Sequence, residues 1–201
     1  MTEKEKALEL FMEGFNCSQS VFTAFAHRFG IDEDTAKRIS AGLGGGVGRQ
    51  REVCGAVSGA VMVLGSVKAA VNGDDSEGKK ANYELVREFC DLFKERHGGT
   101  IICREMLKIQ AEAKESATPD ERTAEYYALR PCARAVFDAA EILEEMIEKY
   151  AEIYDINKEV ALSIVYCECG TNVDSYNYEV NNNPAGLGPS MYFENKEIGI
   201  I

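Results

Sequence analysis

VCGAVSGAVMVLGSVKAAV, residues 53–71, is the longest apolar run in the chain, and its reading decides the fold. Charge enters it only at Lys68, and Gly55, Ser58, Gly59, Gly65 and Ser66 punctuate the larger side chains. The run falls short of the ~20 predominantly apolar residues that a membrane-spanning helix needs. A helix apolar on nearly all sides must be covered by other elements, so the stretch reads as a central, buried helix. Gly55 and Gly59 form a small-residue pair on it that lets a second helix approach closely.

The flanking sequence supplies helices to do the covering. Ala7, Leu8, Phe11 and Met12 recur at helical spacing over residues 3–13, with Gly14 as the stop. Asn16 is a strong N-cap residue for the stripe Val21, Phe22, Phe25, Ala26 and Phe29, which Gly30 ends. Asp32 or Asp34 caps a short helix to about Ala41, and a glycine-rich turn, Gly42 to Gly48, leads into the central run. After a polar loop at Asn72–Lys79, residues 81–96 carry Leu85, Val86, Phe89 and Phe93 on one face. Thr100 is expected to cap a short helix through Ile109, residues 111–128 to form a loop with frayed turns, and Pro131 to open a strongly periodic last helix. No hairpin or βαβ pattern interrupts residues 1–150. The expected fold is all-α, a helical bundle around a central buried helix.

Residues 151–201 differ in composition. They hold 2 basic and 8 acidic residues and so carry half of the chain's net charge of −12. An Asn/Gly/Pro-rich region from Gly170 to Pro189 reads as irregular structure, and the domain organisation expected is a body of 1–150 with a short C-terminal appendage. The acidic surface repels phosphate backbones and anionic lipids, which argues against nucleic-acid and membrane partners. Met1–Glu9 has no apolar core of the signal-peptide kind. A cytoplasmic location is expected, where cysteines bind metal or do redox chemistry more often than they form structural disulfides.

Seven cysteines against two histidines, His27 and His97, point the chemistry towards sulfur. Cys17 follows the Asn16 cap, Cys54 opens the central helix, Cys103 lies just past Thr100, and Cys132 follows Pro131. All four are expected in first helical turns, where free N–H groups and the helix dipole favour a thiolate. Arg49, Arg51, Arg104 and Arg130 stand close by in sequence and should add to that effect. Cys90 lies mid-helix beside Val86, Phe89 and Phe93 and reads as a packing residue. Spacings of 37, 49 and 29 residues match no CxxC signature. The glycine turn fits neither a P-loop nor a GxGxxG pattern. His27 and His97 are expected at the surface or at helix ends.

Residues 10–147 resemble the redox-active proteins named for a C…GCAxxG…C…C pattern. The likeness rests on Asn16-Cys17-Ser18-Gln19-Ser20-Val21, Gly44-Gly45-Gly46-Val47-Gly48-Arg49, Val53-Cys54-Gly55-Ala56-Val57-Ser58-Gly59-Ala60, Ile102-Cys103-Arg104-Glu105-Met106-Leu107 and Cys132. The central block runs Cys-Gly-Ala instead of Gly-Cys-Ala. The resemblance implies an all-α domain with four functional cysteines, Cys17, Cys54, Cys103 and Cys132. It implies their use either as ligands of a [2Fe–2S] or [4Fe–4S] cluster in electron transfer or in thiol–disulfide exchange. In the thiol version Cys54 is the expected nucleophile, exposed by the glycine turn. A structural zinc module on the same four cysteines is the alternative of a different class. A redox partner protein is expected, as is a second copy where the cysteines meet across a homodimer. From Tyr154 onward the tail resembles the opening of a lysozyme-like or glucosaminidase-type domain, through Glu168-Cys169-Gly170 and Asn182-Asn183-Pro184-Ala185-Gly186-Leu187. That likeness would make Glu168 a general acid in a cell-wall glycosidase fragment, while Cys167 and Cys169 form a CxC pair. About fifty residues cannot build such a domain.

Overall fold

The computed structural model describes residues 1–110 and 116–153, with side chains through residue 150. Among these residues the chain is helical: α1 (Glu3–Met12), α2 (Cys17–Ala26), α3 (Glu33–Ser40), α4 (Gly55–Val67), α5 (Ser76–Arg96), α6 (Cys103–Met106), α7 (Ala124–Leu129) and α8 (Cys132–Ile153). The expected all-α class is what the chain adopts. The sole sheet-like pairing among the described residues is an isolated antiparallel bridge between Val53 and Ile102. No helix of the described residues is long and apolar enough to cross a membrane.

Local chemistry explains the boundaries. Asn16 closes a capping box: its side chain accepts from Ser18 and Gln19 N–H, and the Gln19 side chain accepts from Asn16 N–H in return. Asp32, of the two candidates, caps α3 by accepting from Thr35 N–H at 2.9 Å. The central helix is shorter than the apolar run that encodes it. Val53 and Cys54 are taken up by the bridge, with Cys54 N–H donating to Ile101 at 2.8 Å, and Val71 is exposed. The next helix starts earlier than expected because Asp75 accepts from Gly78 N–H at 2.8 Å and so starts it inside the polar loop. Thr100 does not cap a helix running to Ile109. Its hydroxyl accepts from Ile102 N–H, and α6 lasts four residues. Thr123 caps α7, an ordered helix within the stretch expected to be loop.

The chain forms two compact units. One comprises Met1–Val63 and Val86–Met146; the other, over the described residues, comprises Leu64–Leu85 and 147–153. In the second, the Asn82 amide donates to the Lys68 carbonyl at 2.5 Å. The first has a core of Phe11, Phe22, Phe25, Val57, Phe89, Phe93, Ile142 and Leu143, all essentially sealed from solvent. Each such side chain contributes roughly 1.5–3 kcal/mol through apolar burial. Gly59 serves as the small-residue pair foresees: a Cβ there would lie 2.8 Å from Ser18 O and 3.1 Å from Val21 Cβ, so α4 lies directly on the backbone of α2. Lys4 ties α1 to α8 through Glu141 at 2.9 Å, and Arg96 ties α5 to α8 through Glu141 at 2.7 Å.

His27 and His97 both stand at helix ends as expected, His27 ending α2 with an exposed ring. The His97 side chain is also buried, stacked on Phe93 at 4.2 Å and 3.2 Å from Asp138 Oδ2, whose side chain is 2% exposed. Burial holds the imidazole below its ordinary pKa, against the pull of Asp138 and with help from Arg134 and Arg96. The unfolded chain therefore takes up this proton more readily than the folded one. His97 thus contributes stability that is complete above the ordinary histidine pKa of about 6.5 and lost as pH falls below it. Urea midpoints measured between pH 7.5 and pH 5 should fall with pH, and His97→Gln should flatten that part of the profile.

Candidate redox site

Four local devices bring the cysteines to one place. Cys17 is the first residue of α2, behind the Asn16 capping box. Cys54 immediately precedes α4, and the Ala56 and Val57 N–H groups, two of the free donors of that helix start, favour its thiolate. Cys103 is the first residue of α6, and Cys132 the first of α8. The bridge aligns two of them: Cys103 N–H donates to Glu52 O at 2.7 Å while Cys54 N–H donates to Ile101 O at 2.8 Å. Gly55 makes room for a third, since a Cβ there would fall 2.4 Å from Cys17 Sγ. All four cysteines line one cavity of ≈ 250 Å³ within the first unit. Cys90 does not line it and remains half-buried on α5.

Helix-start placement of the thiols is as expected; their electrostatics are not. Cys54 is buried instead of being exposed by the glycine turn, as are Cys17 and Cys103, and Cys132 alone of the four is half-buried. Burial pushes the Cys54 thiol well up, and the neighbouring Cys17 adds to it, against the Ala56 N–H. Burial likewise raises Cys103, with Cys17 adding and a hydrogen bond from Arg51 opposing. Cys132 is pushed up to about 12, first by burial and then by Cys17 and Cys103, against Arg130 and Arg122. Removing sulfur from water and crowding four ionisable thiols together outweighs the helix starts and arginines. Without a metal, Cys54, Cys103 and Cys132 stay neutral thiols. The site would favour thiolates once a cation offset their mutual repulsion.

Arg49, Arg51, Arg122 and Arg130 line the same cavity, and Asp120 is the one acid lining it among the described residues. Arg104, the remaining arginine singled out in the sequence, is turned elsewhere and donates to Gln110 O at 2.9 Å. Arg122 and Asp120 went unread in the sequence because they lie in the segment before α7, far along the chain from three of the cysteines. Asp120 Oδ2 accepts from Arg49 at 2.8 Å and lies 3.0 Å from Arg130 and 4.0 Å from Arg51. The Arg49 hydrogen bond is the main reason its carboxyl stays below the usual range. No three Cys, His, Asp or Glu side chains among the described residues stand close enough to hold a single metal ion. The sulfurs border a volume instead of surrounding a point.

A family model described as "Putative redox-active protein (C_GCAxxG_C_C)" matches residues 15–146. The chain belongs to this family. The C_GCAxxG_C_C match begins just ahead of Cys17 and includes Cys54, Cys103 and Cys132. No curated protein and no solved structure matches the chain. The lysozyme-like likeness of the tail is not borne out: the family match stops at residue 146, and nothing else matches beyond it. Glu168, Cys167 and Cys169 lie outside the described residues.

Proposed function

We propose that Cys17, Cys54, Cys103 and Cys132 form a single redox centre that holds an iron–sulfur cluster and exchanges electrons with a partner protein. The observation that carries this reading is the convergence of four helix-start cysteines on one cavity. The donor set suits such a group: four sulfurs distributed around a volume, backbone N–H groups directed at Cys54 and a guanidinium directed at Cys103. Hydrogen bonds to ligating sulfur and exclusion of water are the means by which a protein sets a cluster's potential. When bound, the cluster would supply one-electron transfer; the chain would supply ligands, charge balance and burial. A single tetrahedral zinc ion is less well served by donors spread in this way.

A second reading, dithiol–disulfide cycling, draws support from the partial exposure of Cys132, which gives a thiol partner one point of access. Iron and acid-labile sulfide content with an absorption spectrum, on anaerobically purified protein, separates the two. Visible absorption with iron and sulfide is expected. Cys54→Ser should abolish most of it, whereas Cys90→Ser should leave it intact. Iron-free, colourless protein, or equal losses from both variants, would overturn the cluster reading.

A further inference from the structure

We propose that the arginine cluster beside the four cysteines is a binding site for a small oxyanion, and that Asp120 is its internal stand-in. The chain as a whole carries −12, yet among the described residues the charged side chains lining this cavity are four arginines and one aspartate. Cations are costly to withdraw from water, and here they are withdrawn: the Arg51 side chain is 4% exposed and that of Arg49 17%. Asp120 neutralises part of this charge by contacting three of the four guanidiniums at once. A carboxylate held by several guanidiniums is in the geometry they offer to any oxyanion.

Arg122 is the fourth, and it is held in place by other means. Its guanidinium stacks 4.6 Å from both the Phe11 and Tyr126 rings and donates from Nη2 to Phe15 O at 3.2 Å. Its Nη1 is buried with no hydrogen-bond partner among the described residues. A buried N–H without an acceptor is expensive and calls for one. Asp120 is the most exposed member of its ion pairs, at 36%, and belongs to the segment between residue 116 and α7. Its carboxylate can therefore yield to an incoming anion at the cost of moving one side chain.

Size and depth define the ligand class. A cavity of ≈ 250 Å³ is below the roughly 300–1,000 Å³ typical of drug-sized ligands, so an anion taken up beside the cysteines is a small one. An acidic protein surface could not reach a guanidinium as recessed as Arg51. The site places an oxyanion against the cysteines, whichever redox chemistry they perform.

Inorganic phosphate is the probe, titrated calorimetrically into the full-length wild type and into Asp120→Asn, Arg130→Gln and Asp120→Asn/Arg49→Gln at constant ionic strength. Asp120→Asn should bind phosphate at least tenfold more tightly than the wild type. Arg130→Gln should weaken binding at least tenfold, and the double variant should lose the gain. Phosphate binding no tighter in Asp120→Asn, or unaffected by Arg49→Gln, overturns the proposal. Should Asp120→Asn fail to fold by circular dichroism, the wild-type melting temperature in phosphate against chloride decides. A rise that Arg49→Gln abolishes supports the site, and no rise sinks it. Iron content measured on the same samples separates this outcome from the cluster reading: phosphate binding in iron-free protein would leave the anion site standing alone.

Discussion

Replacing Gly46 with alanine is expected to destabilise the protein by about 3 kcal/mol and to empty the cysteine site of any metal it holds. Gly46 has φ +73°, where a side chain costs roughly 1–2 kcal/mol. The larger difficulty is space: a Cβ would stand 2.7 Å from Glu52 N, 2.8 Å from Cys103 Cβ and 2.9 Å from the Arg51 carbonyl carbon. Two of these atoms belong to the backbone that carries Arg51 and leads to Cys54, and the third belongs to a site cysteine. Overpacking of this kind costs roughly 1–3 kcal/mol further, because the neighbours have no rotamer to escape into. Gly30→Ala is the control, with φ +67° and no atom within 4 Å of its Cβ. Urea denaturation should show Gly46→Ala losing at least 1 kcal/mol more than Gly30→Ala. Equal losses would mean that the loop does not press on Cys103.

The same loop shows where sequence reasoning reaches its limit. A run of glycines announces a turn, and Gly42–Gly48 forms one. Nothing in residue type announces that Val47, Arg49 and Arg51 also take φ of 57°, 66° and 64°. Such conformations cost energy and persist where surrounding bonds over-determine them. Here Arg51 N–H donates to Gly45 O and Glu52 N–H to Gly46 O, while the Arg51 and Glu52 carbonyls accept from Arg104 and Cys103. Those partners lie fifty residues on, beyond any local pattern. Helix starts, by contrast, are written locally. Asn16 before Cys17 and Pro131 before Cys132 are sufficient to place two cysteines at the heads of helices, and both are found there. His97 shows the complementary limit: its helix-end position is legible and its burial is not. Its burial is decided by Asp138 and Phe93, one of them on a different helix, and a helix-ending His-Gly-Gly reads the same whether its ring faces water or the core.

Local reading also foresees the donors around the sulfurs but not the balance of forces on them, and that balance has a measurable consequence at Cys132. Its thiol is lifted from 9.0 to about 12. At pH 8 this lowers the thiolate fraction roughly a thousand-fold relative to the unshifted group. A more basic thiolate is also more nucleophilic, with a Brønsted slope of about 0.4–0.5, which restores roughly twentyfold. Cys132 in reduced, metal-free protein should therefore react with iodoacetamide about fiftyfold more slowly when folded than in urea, before any steric shielding is added. Mass mapping of the alkylated peptide gives both rates. In Cys17→Ser/Cys103→Ser the two repelling sulfurs are gone while burial remains, so the native rate should recover in part. Because the folded pKa is raised, the neutral thiol favours the folded state below pH 9, and that contribution is lost as pH climbs towards 12. Native Cys132 alkylating as fast as the unfolded residue would reverse the ranking of forces. Arg130, Arg122 and the start of α8 would then outweigh burial, and the site would be poised for thiol attack and not for holding a cluster.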